Sequence, residues 1–217
     1  PTNGLRLHYD FAAGGATALD KSGYGNNATV VGVTWTADGR TNGAYAFDGI
    51  DDYLYAPDSP SLDMSTGVTV SAWMLATAPA NGPGWWDGIV CKGDRSDRNY
   101  SIGRSDGTKA ATWYMYGGQG KWSLTSKRDV CDGQWHLVTS TWDGSRVHLY
   151  VDGEDDVDYS DPYNYGWNWT SPLMVNGLPL LVGKIDDVYP ISYFNDGKID
   201  EVRVYNRALT AEEVRDL

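Results

Sequence analysis

The chain has 217 residues, of which 29 are acidic and 17 basic, so its formal net charge is −12. This negative charge argues against a nucleic-acid partner and against anionic membranes, because binding to phosphate groups needs clustered Lys and Arg. No stretch is long and apolar enough to span a membrane. The chain contains ten Trp and 15 Tyr but three Phe. Trp and Tyr combine an apolar ring face with a polar edge, which suits half-apolar ligands such as sugars.

Apolar residues alternate with polar ones along much of the chain, which predicts β-strands. The pattern begins at residues 4–11, returns at 68–76, 134–143 and 145–151, and ends at 200–205. Asp-Gly pairs separate many of these runs, and they tolerate the positive φ that tight hairpin turns require. The segment TWDGSRVHLYVDG therefore predicts a hairpin.

The C-terminal end is the one stretch with a helical pattern. Thr210 and Glu213 have the spacing of a capping box, which predicts a short helix over residues 211–217. Many short strands without helix–strand alternation predict an all-β sandwich. No linker divides the chain, so we expect a single domain over residues 1–217. Three stretches are predicted to be long loops, namely residues 79–88, 155–172 and 185–195.

Several motifs occur in an order and at spacings that resemble a known family. They are LDKSGYGNNATVVG, NGAYAFDGIDDYLYAPDSPSLDM, VTVSAWM, IVCKGD, CDGQWHLVTSTWDGSRVHLYVDG and DGKIDEVRVYNRALTAEEV. Together they resemble the laminin-G-like, concanavalin A-like jelly-roll domains of bacterial secreted proteins. The resemblance implies a two-sheet antiparallel jelly-roll β-sandwich with its terminal strands side by side and a short C-terminal helix. Such domains are mostly non-catalytic modules that bind glycans, mediate adhesion or accompany polysaccharide-degrading enzymes.

Domains of this family often carry a structural calcium ion, and the resemblance implies one here. Ca²⁺ binds hard oxygen ligands from carboxylates, amides and backbone carbonyls. The predicted ligands are Asp20, Asn26, Asn27, a backbone carbonyl near Gly43, and Asp200. The other interpretation is that Asp20 and Asn26 hold an Asx turn by bonding backbone N–H groups. A second candidate is the loop DGIDDY, with Asp48, Asp51 and Asp52.

The tryptophans divide into two groups. Trp73, Trp135 and Trp142 fall in strand motifs, and we expect them in the core. Six others, Trp85, Trp86, Trp113, Trp122, Trp167 and Trp169, fall in loops or on a predicted hairpin. Neighbouring strand residues face opposite sides, so Trp85 and Trp86 cannot both face a core. The predicted ligand-binding aromatic residues are Trp85, Trp86, Trp113, Tyr116, Trp122, Tyr163, Tyr165, Trp167 and Trp169.

These aromatic residues predict a platform or cleft for a glycan. The C–H faces of sugar rings pack on aromatic rings, while polar side chains between the rings bond the hydroxyl groups. Asp87 and Arg98 are predicted polar partners of this kind. The other interpretation is that the aromatic segments pack on one another or against a neighbouring domain.

The signals for catalysis and for a disulfide are less specific. The four glutamates do not have the clustered spacing found in glycosidases of this jelly-roll class, and three scattered histidines disfavour a zinc site. An Asp pair in an aromatic cleft, such as Asp87 with Asp97 or Asp161, keeps a catalytic alternative open. Cys91 and Cys131 are compatible with one disulfide and equally with two separate thiols.

The favoured interpretation is a non-catalytic carbohydrate-binding module of a secreted, polysaccharide-degrading protein, tethered to further domains and stabilised by calcium. Its partner is expected to be a neutral polysaccharide or oligosaccharide, because the net charge repels polyanions. One alternative is an adhesion or interdomain-packing module whose aromatic loops face protein. The other is a glycoside hydrolase or polysaccharide lyase.

Overall fold

A computed structural model describes residues 1–77, 87–94, 97–105, 107–116, 120–160, 172–186 and 192–217, and of residues 113–116 and 120–122 only the backbone. The regular structure is almost entirely β. In chain order the strands are β1 (Leu5–Tyr9), β2 (Thr17–Ala18), β3 (Ala28–Val31), β4 (Thr34–Thr36), β5 (Ala44–Asp48), β6 (Tyr53–Ala56), β7 (Val68–Leu75), β8 (Asp87–Lys92), β9 (Tyr100–Ser105), β10 (Lys109–Tyr116), β11 (Gly120–Asp129), β12 (Trp135–Trp142), β13 (Val147–Val151), β14 (Glu154–Asp155), β15 (Leu180–Val182), β16 (Lys184–Asp186), β17 (Ser192–Phe194) and β18 (Asp196–Tyr205). A 3₁₀ turn (Pro60–Leu62) follows β6, and helix α1 (Ala211–Arg215) follows β18.

The first sheet has eight strands among the described residues, in the order β14-β13-β12-β7-β18-β5-β4, with β1 also paired to β18. Strand β18 pairs with β5 over its first residues and with β1 over its last. A bulge between Asp200 and Arg203 separates the two pairings, and Glu201 within it has a φ of 51°. The N- and C-terminal strands therefore lie side by side, as the resemblance implies.

The second sheet also has eight strands in the described part of the chain, in the order β11-β10-β9-β8-β15-β6-β3-β2. Strands β16 and β17 pair with each other in a separate hairpin, antiparallel like the strand pairs of both sheets. The two-sheet antiparallel sandwich is confirmed. The prediction of a loop over residues 185–195 is wrong in part, because residues 185–186 and 192–194 belong to the strands of this hairpin.

The core lies between the two sheets and follows the alternation of their strands. Val70, Ala72 and Met74 of β7 belong to one buried cluster with Val90 of β8 and Ile102 of β9. Full burial of a side chain such as Val or Met contributes roughly 1.5–3 kcal/mol. The remaining face of each sheet points away from this cluster, and these two outer faces are where a ligand can approach.

The C-terminal helix has the predicted capping box. Thr210 Oγ1 accepts a hydrogen bond from the Glu213 N–H (3.2 Å), and Glu213 Oε2 accepts one from the Thr210 N–H (2.9 Å). The helix ends at Arg215, two residues before the predicted end. Among the described residues, no helix has the length and apolar character needed to cross a membrane.

The three tryptophans predicted for the core separate in the structure. Trp142 is buried there as expected, with 1% of its surface exposed. Trp73 and Trp135 are only half-buried, and that part of the prediction is wrong. The neighbours of Trp73 along β7 belong to the core, so alternation places Trp73 on the outer face of the first sheet. There the Arg40 guanidinium lies 4.3 Å from the centre of the Trp73 ring.

Candidate functional site

The side chains of all nine aromatic residues predicted to bind a ligand are outside the described part of the structure. Trp85, Trp86, Tyr163, Tyr165, Trp167 and Trp169 lie outside the described residues altogether. The backbone alone is described for Trp113, Tyr116 and Trp122, and it forms the expected hairpin, β10–β11. The ligand-binding roles of all nine residues stay predictions.

Asp87 has a structural role instead of the predicted contact with sugar. It begins β8 opposite Arg104 of β9, and neither side chain has exposed surface. Arg104 Nε donates to Asp87 Oδ1 (2.9 Å) and Arg104 Nη2 donates to Oδ2. Burial raises the pKa of the Asp87 carboxyl, and the paired guanidinium opposes that rise. A carboxylate enclosed in this way does not face a glycan.

Arg98 is also corrected from a ligand contact to a buried residue. Only 4% of its surface is exposed, and its side chain forms a hydrogen bond with the Cys91 thiol. A guanidinium this far inside the protein does not offer its donors to a ligand at the surface. Its position in the sequence gave no signal of this burial.

The two cysteines are free thiols with separate partners. Cys91 Sγ donates to the Gly93 carbonyl (3.1 Å), whereas Cys131 Sγ accepts from Arg104 Nη1 (3.3 Å). Burial raises the pKa of both thiols, which makes them less reactive. Of the two interpretations that the sequence left open, the structure has the separate thiols.

Asp20 organises the first predicted calcium loop through hydrogen bonds. Its Oδ1 accepts from the N–H groups of His8 (3.0 Å) and Ser22 (2.9 Å). Its Oδ2 accepts from the Asn26 N–H (3.0 Å) and the Ser22 hydroxyl (2.8 Å), and Asn27 Oδ1 accepts from the Asp20 N–H (2.8 Å). This is the Asx-turn arrangement raised as the alternative. The donors occupy the oxygens that a metal would use, so hydrogen bonding alone explains the loop, and the calcium ion stays a prediction.

Asp200 serves a different turn. Its Oδ2 accepts from the N–H groups of Arg40 (2.9 Å) and Thr41 (3.1 Å), at the turn that leads into Gly43. Burial raises the pKa of the Asp200 carboxyl, and the backbone N–H groups oppose that rise. The structure thus brings Asp200 to the segment before Gly43, whereas Asp20 has a separate set of partners among the described residues.

The loop DGIDDY does bring its three carboxylates together. Asp48, Asp51 and Asp52 offer oxygens within 4.8 Å of one another. Burial and then the charge of Asp48 raise the pKa of the Asp52 carboxyl. Asp52 Oδ2 accepts from the Asp48 N–H (3.0 Å), and Asp48 Oδ1 accepts from the Ile50 N–H (2.8 Å). The cluster therefore shapes its own turn, and metal binding there stays a prediction.

The outer face of the second sheet is buried in its middle and open at one end. Direct strand pairs place Tyr55, Leu181, Cys91 and Ser101 in one row across β6, β15, β8 and β9. Their neighbours along each strand belong to the core, so the row lies on the outer face. Leu181, Cys91 and Ser101 are buried, whereas Tyr55 is 39% exposed. Within this row of described residues, solvent therefore reaches the outer face at β6.

The open end carries rings and an ion pair. Tyr53 lies two residues before Tyr55 and on the same face, and its ring centre is 6.5 Å from that of Phe194 in β17. Lys184 Nζ of β16 lies 4.7 Å from the Tyr53 ring centre and 5.6 Å from that of Phe194. It also lies 2.9 Å from Asp186 Oδ1. We call Tyr53, Tyr55, Lys184, Asp186 and Phe194 the β6–hairpin cluster.

Sequence reasoning missed this cluster although one signal was available. The run Tyr-Leu-Tyr at residues 53–55 has the alternation of a half-buried strand, with both tyrosines on one side. It lies inside a motif used only to support the family resemblance. Asp186 and Phe194 lie in residues 185–195, which the sequence predicted to be a loop, and Lys184 directly precedes that range.

Residues 48–215 match the laminin G model described as the concanavalin A-like lectin/glucanases superfamily. The chain belongs to this superfamily. One superfamily relative, the basement membrane-specific heparan sulfate proteoglycan core protein of Mus musculus, is 30% identical over 139 residues. The match covers 63% of this chain and 4% of that protein, so the chain spans a small part of its curated relative.

Solved structures of other proteins share the sandwich. The binding domain of Paraclostridial Mosquitocidal Protein 1 aligns with a TM-score of 0.74 at 16% identity, over 99% of this chain and 52% of that one. Domain 4 of AbnA, an extracellular GH43 arabinanase from Geobacillus stearothermophilus solved with arabinotriose, gives 0.72 at 20% identity, over 98% and 97%. The ligand-binding domain of botulinum neurotoxin serotype D, solved with N-acetylneuraminic acid, gives 0.68 at 14%, over 99% and 50%. At these identities the likeness shows the superfamily fold.

Proposed function

We propose that this chain is a non-catalytic carbohydrate-binding module that holds a neutral glycan at the outer face of its second sheet. The observation that carries the proposal is the open end of that face, where Tyr55 is 39% exposed beside half-buried Tyr53 and Phe194. Ring faces held on a rigid strand suit the C–H faces of sugars. The aromatic residues predicted from the two long loops, Trp85, Trp86, Tyr163, Tyr165, Trp167 and Trp169, lie outside the described residues, and their contribution to binding stays a prediction.

The type of ligand follows from charge and from analogy. A net charge of −12 repels polyanions, which favours an uncharged glycan. The likeness to domains solved with arabinotriose and with N-acetylneuraminic acid supports a sugar ligand, as an analogy between folds. Charge, not analogy, is the reason for choosing the neutral class.

The three histidines lie away from the proposed site. His8 lies 2.8 Å from Glu201, His136 lies 2.9 Å from Asp152, and His148 forms a third such pair on β13. All three histidines belong to strands of the first sheet, whereas the proposed site lies on the second. General acid–base groups must be within hydrogen-bond reach of the reacting atoms.

Affinity gel electrophoresis tests the proposal. The wild type is run in gels containing arabinan, galactan, xylan, galactomannan or mixed-linkage β-glucan, beside Tyr55→Ala, Trp85→Ala/Trp86→Ala and Trp167→Ala/Trp169→Ala. We expect one glycan to retard the wild type and at least one folded aromatic variant to lose the retardation. Absence of retardation in every gel would overturn the proposal. Release of new reducing ends from the retarding glycan would show an enzyme instead.

An adhesion or interdomain-packing role is the second candidate. The observation that favours it is the half-buried Trp73, Leu75 and Trp135 on strands β7 and β12 of the first sheet. Apolar side chains on an outer face suit a protein partner. This candidate predicts that no glycan binds and that Trp135→Ala weakens association with a neighbouring domain of the parent protein.

The wider context is proposed from the sequence resemblance. It comprises secretion, attachment to a polysaccharide-degrading protein and a structural calcium ion held by the Asp20 loop. Calcium is tested by melting the protein in CaCl₂ and in EGTA, with Asp20→Asn as the variant. We expect a higher melting temperature in CaCl₂ for the wild type alone. Equal melting temperatures in the two buffers would overturn the calcium site.

A further inference from the structure

The β16–β17 hairpin is held tightly against β8 of the second sheet. A methyl group at Gly88 would come within 2.5 Å of the Lys184 carbonyl oxygen, so glycine is what permits the approach. At the same end of the hairpin, where Lys184 pairs with Phe194, the Asn195 N–H donates to the Gly183 carbonyl (2.8 Å). Backbone contacts therefore fix this end of the hairpin, which carries the side chains of Lys184 and Phe194.

The polar atoms of the β6–hairpin cluster are only partly used. An ammonium has three donors, and Lys184 Nζ forms an ion pair with Asp186 Oδ1 at 2.9 Å. The same Oδ1 accepts from the Ser192 hydroxyl at 2.6 Å. Asp186 Oδ2 has no hydrogen-bond partner among the described residues. A donor and an acceptor thus lie side by side, next to two aromatic rings.

This pairing matches the chemistry of an uncharged sugar. Two neighbouring hydroxyl groups can accept from the ammonium and donate to the carboxylate, while the C–H groups of the ring pack on Tyr53 or Phe194. Lys184 and Asp186 have opposite charges that cancel, so the cluster offers no net positive charge to an acidic sugar. Its carboxylate also repels the carboxyl group of a uronic acid.

We propose that Tyr53, Phe194, Lys184 and Asp186 form a subsite for one neutral hexose or pentose unit, with the hairpin as its polar wall. Tyr55, two residues along β6, carries the next part of the bound chain. The subsite rests on the proposed glycan-binding function. Its residues come from β6, β16 and β17, whereas the aromatic residues predicted from the sequence belong to other segments of the chain.

The test is isothermal titration of the whole chain with the neutral polysaccharide that retards it, and with polygalacturonate as the anionic probe. The variants are Phe194→Ala and Lys184→Met. Two matched controls lie elsewhere: Tyr24→Ala removes an exposed tyrosine that also faces a cation, and Lys198→Met removes a lysine paired with Asp38. We expect the Kd to rise about tenfold or more for Phe194→Ala and about fivefold for Lys184→Met. Both controls should bind within about twofold of the wild type.

The outcomes separate failure of the subsite from failure of the function. Wild-type affinity in folded Phe194→Ala and Lys184→Met, with binding lost in Trp167→Ala/Trp169→Ala, would overturn the subsite and leave the function standing. Lys184-dependent binding of polygalacturonate alone would overturn the neutral-sugar assignment. No binding of any polysaccharide would overturn the function and the subsite together. If Phe194→Ala does not fold, Lys184→Met gives the decisive measurement.

Discussion

Two lysines beside the second sheet are used in opposite ways. Lys92 of β8 has no exposed surface, and its Nζ lies 2.8 Å from Asp58 Oδ1, 2.6 Å from the Leu178 carbonyl and 3.0 Å from the Asn176 carbonyl. Lys184 of the hairpin is 17% exposed and has one carboxylate partner and two rings. An ammonium enclosed by oxygens stabilises the fold, whereas one with a single oxygen partner keeps donors for a ligand.

The Asp87–Arg104 pair is fully buried, as Lys92 is. Breaking this pair should lower the free energy of unfolding more than any of the other proposed substitutions. Asp87→Ala leaves a fully buried guanidinium without its carboxylate, which typically costs about 3–5 kcal/mol. Asp186→Ala removes a carboxylate from a half-exposed pair and should cost less than about 1 kcal/mol. Urea unfolding of both variants measures the difference. Equal losses of unfolding free energy would mean that burial does not decide how much each ion pair stabilises the protein.

Lys92→Met and Lys184→Met compare how much each lysine stabilises the fold. The variant leaves Asp58 and Asp63 facing each other without the ammonium, and we expect a loss of about 3 kcal/mol in the free energy of unfolding. Lys184→Met should change it by less than about 1 kcal/mol. Chemical denaturation under one set of conditions compares the pair. A loss below about 1 kcal/mol for Lys92→Met would contradict the stabilising role of its oxygen partners.

The sequence predicts those features that depend on short-range pattern. The hairpin β12–β13 follows from alternation on both sides of Asp143-Gly144, and the register pairs Trp142 with Val147. The capping box follows from the spacing of Thr210 and Glu213. In each case the residues that decide the structure are neighbours along the chain, so one sequence is enough.

The sequence does not predict features that depend on pairing between distant segments. Asp87 follows two tryptophans in a glycine-rich stretch, which suggests a ligand contact, but its partner Arg104 lies across the strand pair β8–β9. Hairpin strands of three residues are too short for alternation to distinguish them from a loop. Phe194 and Lys184 therefore gave no signal, although they meet Tyr53 in the cluster that carries the proposal.

Gly88→Ala should loosen the hairpin while leaving the oxygen partners of Lys92 in place. The added methyl group clashes with the Lys184 carbonyl, and overpacking of this kind typically costs about 1–3 kcal/mol. We also expect weaker binding of the neutral glycan. Gly177→Ala is the matched control, because its nearest neighbour would be 3.9 Å away. Unfolding and titration of the two variants measure both effects, and identical behaviour would show that the hairpin does not depend on this close approach.

His136 differs from the two lysines because its charge depends on pH in the neutral range. Burial lowers the pKa of His136, but hydrogen bonds to Asp152 (2.9 Å) and Asp132 (3.1 Å) outweigh burial and raise the pKa above its ordinary value. A raised pKa in the folded state gives a stabilisation that is complete below about pH 6.5 and is lost as pH rises through the folded value.

The corresponding prediction is the smallest, because the group is near solvent. The difference in unfolding free energy between wild type and His136→Gln should be larger at pH 5.5 than at pH 8.5, by less than about 1 kcal/mol. In an Asp152→Asn background, the pH dependence of the His136→Gln effect should be smaller, because the first of the two carboxylate partners of His136 is gone. Urea unfolding at the two pH values measures the effect. A difference that is the same at both values would mean that the carboxylates orient a neutral imidazole and do not hold a charged one.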